Sequence, residues 1–79
     1  MTTREPAMPM DELRSRYEAL SPIEEMMGER SYLGRCSTFE WFLVYGPLLA
    51  DDLRAGYDLP AVRDNLPGLG VLALEAWPE

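Results

Sequence analysis

Phe39-Glu40-Trp41-Phe42-Leu43-Val44-Tyr45 is the stretch whose reading decides the fold. Six of its seven positions are apolar, so it is buried on nearly every side whichever secondary structure it takes. Aromatic and β-branched residues favour a strand. Immediately upstream, Ser37-Thr38-Phe39-Glu40 has the spacing of a capping box, which favours a helix. Gly46-Pro47 follows, and a proline inside a helix lacks an amide donor and clashes with the preceding turn. A break or kink is expected there. Pro47 then opens a further helix over 47–56, with Leu49 and Leu53 as its stripe, Tyr57 just past its end and Gly56 as its terminator. The distant segment Val71–Trp77 (VLALEAW) has a slight helical preference. Its alternative is a short strand paired with 39–45.

Working outward, Asp58 can cap a short helix over 59–65 with Leu59, Val62 and Leu66 inward, and Pro67-Gly68-Leu69-Gly70 reads as a turn. Toward the N-terminus, Leu13, Tyr17 and Leu20 form one helical stripe over residues 11–20. Ser21-Pro22-Ile23-Glu24 is a second start signal; its short helix carries Ile23, Met26 and Met27 and stops at Gly28. Residues 29–36 read as a loop or short strand. Residues 1–9, with two prolines and no periodicity, read as a flexible tail. The expected architecture is mainly α: a compact single domain over residues 10–79 built from four or five short helices. The alternative is α+β with short strands near 39–45 and 71–77.

Composition limits the chemistry. Histidine, lysine and glutamine are absent from all 79 residues, and Cys36 is the single thiol. General acid–base catalysis is most often the work of histidine, and Schiff-base or P-loop chemistry needs lysine. Cys36 lies beside Arg35 but has no base to activate it, so it reads as a small buried apolar residue. The carboxylate doublets Glu24/Glu25 and Asp51/Asp52, and the wider pair Asp58/Asp64, lack calcium-loop spacing and read as solvated helix faces. Gly68-Leu69-Gly70 is too short for a nucleotide loop. No catalytic, cofactor-binding or metal-binding residue is expected, and the protein does not read as an enzyme.

The net charge of −7 disfavours direct nucleic-acid binding. The longest nearly unbroken apolar run, residues 41–50, is half the length that spans a bilayer. Met1–Met10 lacks the order of a signal segment. A soluble cytoplasmic protein is expected, and the preference for residues with GC-rich codons suggests a high-GC bacterium or its phage.

The apolar content is 47%, with two tryptophans, four tyrosines and five methionines, generous for so short a chain. Trp41 and Phe42 are neighbours and cannot both face one narrow core, and Trp77 stands near the chain end, where deep burial is rare. The functional expectation is an acidic protein–protein interaction module. Glu24, Glu25, Glu29, Asp51 and Asp52 would steer it to a partner with a basic surface. Trp41, Tyr45, Tyr57 and Trp77 would anchor it, and a second copy is a further candidate partner. This is the physical profile of small phage-encoded inhibitors, anti-CRISPR proteins among them, and of accessory subunits of enzyme complexes. The rival class is a nucleic-acid mimic whose carboxylates stand in for phosphates; the interspersed arginines weigh against it.

Overall fold

Thr38, rather than Ser37, opens the helix that carries the 39–45 stretch. Its backbone is extended (φ −119°, ψ 148°), and its hydroxyl accepts a hydrogen bond from the Trp41 amide at 3.4 Å. With Thr38 as the cap, the third helical residue is Trp41 rather than Glu40, so the expected capping box does not form; Glu40 lies in the first turn, where its charge complements the helix dipole.

The computed structural model describes residues 4–20, 36–65 and 67–79. Its helices are α1 (Met10–Ala19), α2 (Phe39–Arg54), a six-residue α3 (Pro60–Asn65) and α4 (Pro67–Ala76). The fold is mainly helical. Among the described residues there is no strand, so the α+β alternative is overturned: 39–45 lies in α2, and 71–76 in α4 with Trp77 just beyond. The expected set of four or five short helices is not matched either. The pieces expected at 39–45 and 47–56 are one 16-residue helix that passes through Gly46 and Pro47 without a break. The helix expected after Ser21 lies outside the described residues, as do positions 29–35.

Continuity of α2 runs against local chemistry, since a proline in a helix interior costs about 3 kcal/mol. Burial offsets that cost. Phe39, Phe42, Gly46, Pro47, Leu49 and Ala50 are all buried along one side of the helix. The helix ends where expected: Gly56 takes φ 88°, the left-handed conformation in which glycine avoids the Cβ clash. The amides of Gly56 and Tyr57 then donate to the carbonyls of Leu53 and Asp52.

α4 packs against each of the other three helices. Its sequence, PGLGVLALEA, is apolar nearly all round, as a helix enclosed by neighbours must be. Pro67-Gly68-Leu69-Gly70 is the first turn of this helix, not a turn before it. Proline suits the first helical position because its missing amide would have had no partner there. The glycines admit neighbours: a Cβ on Gly68 would lie 2.8 Å from Leu20 Cδ2, and one on Gly70 3.2 Å from Leu53 Cδ1.

A chain of rings forms the centre of the core. Trp77 meets Phe42 edge-on at 5.4 Å, Phe42 stacks on Tyr17 at 5.0 Å, and Tyr17 tilts against Phe39 at 5.4 Å. Around them Leu13, Cys36, Leu49, Leu69, Leu72, Ala73 and Ala76 are closed to solvent. The Tyr17 hydroxyl, carried into this core, donates to the Cys36 carbonyl at 2.6 Å. Among the described residues no buried side-chain polar atom lacks a partner.

The segment preceding α1, read from sequence as a flexible tail, lies across the end of α4. The Ala7 amide donates to the Ala76 carbonyl at 2.6 Å, and Trp77 Nε1 donates to the Arg4 carbonyl at 3.1 Å. Arg4 also pairs with Asp51 at 2.9 Å.

Candidate protein-binding surface

One row of α2 carries an exposed aromatic ring, Trp41, stacked on a second, Tyr45. Residues 41, 45, 48 and 52 fall in one row of a 3.6-residue period beside the buried face; Trp41 and Leu48 in this row are exposed, whereas Tyr45 and Asp52 are half-buried and Tyr45 packs against the core. Trp41 is 42% exposed and Leu48 38% exposed. The Trp41 and Tyr45 rings stack, with centroids 5.6 Å apart and planes 25° from parallel. Together they make a ridge roughly two turns long. Exposed Glu40 flanks it at the N-terminal end and half-buried Asp52 continues the row at the other.

Of the anchors expected from sequence, Trp41 and Tyr45 meet on this ridge. Tyr57 stands apart from them, past the α2 terminus, and is 55% exposed. It borders an apolar groove of about 280 Å³ between α2, α3 and α4, lined by Leu53, Leu59, Val62, Val71 and Leu74. Trp77 is not on the surface at all. It is 2% exposed, with its ring on Gly46 and Phe42, and this removes it from the set of partner-facing residues. The rule that chain ends avoid deep core fails here because residues 4–8 close over the end of α4. Leu48 belongs to the ridge and was missed. Its signal was the i+7 spacing from Trp41, legible only once 39–54 is read as one helix.

The acidic residues are dispersed differently from the expectation. Asp51 lies between two arginines, Arg4 at 2.9 Å and Arg54 at 3.7 Å. Glu24, Glu25 and Glu29 lie outside the described residues. Every described arginine makes an ion pair: Arg14 with Glu18, Arg16 with Glu75 and Arg63 with Asp58 complete the set. Exposed pairs of this kind each contribute at most about 1 kcal/mol, but among the described residues they interleave positive with negative charge. Arg54 has a further role. Its guanidinium donates to the Leu74 carbonyl at 3.1 Å and to the Trp77 carbonyl, closing the C-terminal end of α4.

Cys36 is fully buried, and burial pushes its thiol up to about 12. The Tyr17 phenol is likewise raised to about 12, first by burial and then by the nearby Cys36 and Glu40 charges. A thiol held protonated in an apolar site is a poor nucleophile. Both groups ionise earlier in the unfolded chain, from ordinary values of 9.0 and 10.0. Unfolding therefore releases protons in this range, so stability is level below about pH 9 and declines as pH climbs toward 12. Urea midpoints measured from about pH 8 to pH 11 should fall, and Cys36→Ala and Tyr17→Phe should each flatten part of that fall. A flat wild-type profile would contradict the burial of both groups.

Among the described residues no three acidic or thiol side chains converge where a metal could sit, and no helix is long and apolar enough to cross a membrane. The chain matches no protein-family model, no curated protein and no solved structure.

Proposed function

We propose that this protein is a small non-enzymatic interaction module that binds a protein partner with a basic surface through the outer face of α2. The observation that carries the reading is the exposed Trp41 ring stacked on half-buried Tyr45, with exposed Leu48 in the same helical row, on a helix whose other side is buried. Tryptophan and tyrosine are the residues most enriched among interface hot spots. Neither Trp41 nor Leu48 belongs to the core of the described residues, and a row of exposed apolar side chains of this kind is what an interaction surface offers. An occluding inhibitor of the phage-encoded type and a stabilising accessory subunit would use such a ridge alike. They differ in whether the partner's activity falls or rises on binding.

The nucleic-acid mimic is the weaker reading. It requires an ordered negative stripe, whereas Asp51, Asp58, Glu18 and Glu75 are interleaved with arginines.

Pull-down from the source cell, comparing wild type with Trp41→Ala, tests the proposal. The variant should lose about tenfold or more in affinity for a retained protein, the usual size of a hot-spot truncation. Its unfolding midpoint should stay within about 0.5 kcal/mol of wild type, as for other surface substitutions. Equal retention by the wild type and the variant would reject the ridge as the binding surface.

A further inference from the structure

We propose that residues 4–8 are a latch: a strap that leaves the end of α4 as one unit while the helices stay packed, with ionic strength setting how often it opens. The strap has a boundary in its own sequence. Pro9 is the N-cap of α1, with extended dihedrals (φ −57°, ψ 144°), and the Leu13 amide donates to the Pro9 carbonyl to start that helix. Residues 4–8 precede this bond, so their release breaks nothing in the α1 ladder.

Among the described residues three polar contacts hold the strap, and all of them reach one end of the fold. The Arg4 carbonyl accepts from Trp77 Nε1 at 3.1 Å, and the Ala7 amide donates to the Ala76 carbonyl at 2.6 Å. The Arg4 guanidinium donates to Asp51 on α2 at 2.9 Å. Pro6 and Met8 are half-buried, with Met8 against the core, while Arg4, Glu5 and Ala7 are exposed. A short segment with so little buried surface recovers from its contacts about what its ordering costs in entropy. Closed and open forms therefore lie close in free energy, as in other segments with few buried contacts.

Two features let the strap leave without the helices. Arg54 donates to the carbonyls of Leu74 and Trp77, so the C-terminal end of α4 keeps its cap when the strap is gone. Asp51 has a second cation, Arg54 at 3.7 Å, so its carboxylate keeps a partner when Arg4 departs. Opening then exposes the Trp77 indole N–H and the Ala76 carbonyl to water, which takes both places. The indole itself stays between Gly46 and Phe42. Salt acts through the Arg4–Asp51 pair, whose side chains are both about half exposed. Added ions screen a pair in that position.

Hydrogen exchange followed by NMR on the full-length protein tests the latch. The Ala7 amide and Trp77 Nε1 should show similar protection, each relative to its own free-peptide rate. That protection should be about tenfold or more below that of the Leu72 and Ala73 amides, which lie in the buried middle of α4. It should stay level up to about 1 M urea, because opening exposes little surface, while protection in α4 falls steeply. Raising salt from about 0.05 M to about 1 M should lower latch protection about threefold. Arg4→Ala should lower it by a similar factor at low salt and remove the salt response. Asp51→Asn added to Arg4→Ala should then lower it no further, since the pair is already broken. Protection at Ala7 and Trp77 Nε1 that falls with urea as steeply as in α4 would mean that the strap opens only with the whole fold, and would overturn the proposal. No protection at either position, or protections that respond differently to salt, would overturn it equally. A salt response that persists in Arg4→Ala would remove ionic strength as the control.

Discussion

Gly46→Ala should destabilise the protein by about 2 kcal/mol, although alanine is the better helix former by about 1 kcal/mol. Gly46 lies in the middle of α2, where a glycine with ordinary helical dihedrals would normally be improved by a side chain. Here the indole of Trp77 occupies the place of that side chain. A Cβ on Gly46 would lie 2.7 Å from Trp77 Cη2, 3.2 Å from Cε3 and closer still to Cζ3. The ring cannot retreat easily, since it is wedged edge-on against Phe42 and its Nε1 is bonded to the Arg4 carbonyl. Inserting a methyl group into such a site typically costs 1–3 kcal/mol, roughly, before any gain in propensity is subtracted. Urea unfolding followed by far-ultraviolet circular dichroism measures the change. The Trp77→Leu background supplies the control, because with the ring gone Gly46→Ala should become neutral or favourable. A Gly46→Ala protein more stable than wild type would mean that the indole does not sit on α2.

The second expectation concerns the ring itself. Trp77→Ala should cost about 3–5 kcal/mol, the range for removing a buried large aromatic. That is most of what a core of this size supplies, so the variant should be largely unfolded at room temperature. Three contacts are lost together: the seat on Gly46, the edge-on contact with Phe42, and the hydrogen bond that ties Arg4 to the end of α4. Trp77→Phe separates them. It keeps an aromatic ring in the site and removes the indole donor, for an expected loss nearer 1–2 kcal/mol, roughly. Retention of a cooperative transition within about 1 kcal/mol of wild type by Trp77→Ala would show that Trp77 is not core. The same measurement bears on function, because a partner-facing Trp77 would lower affinity on truncation and leave stability intact.

Several features were readable along the chain because they depend on neighbours within a turn. The stripe of α1 placed Leu13 and Tyr17 inward, and both are buried. Gly56 was the right terminator for α2, and Leu59 and Val62 were correctly turned to the core. Cys36 without a base read as an inert buried thiol, and it is buried. For the site, adjacency alone required Trp41 and Phe42 to face different ways, and Phe42 is closed to solvent while Trp41 is exposed. Asp51 shows the opposite case. Its doublet with Asp52 suggested a bare acidic face, and nothing nearby in sequence announces that Arg4 reaches it.

What the sequence by itself determined is the chemistry open to the chain and the local grammar of its helices: no histidine or lysine, a strongly acidic balance, and caps and stripes set by spacing. The tertiary structure alone decided whether 39–45 is helix or strand, whether Gly46-Pro47 breaks it, and which tryptophan is surface. The reason is physical. Caps and periods are interactions between residues a few positions apart, whereas Gly46 is required by a ring from the far end of the chain. Continuity through Pro47 is likewise maintained by burial against α4, a helix that shares no local signal with it. Trp41 and Trp77 have the same side chain and the same expected role, and they differ only because residues 4–8 and α2 close around Trp77.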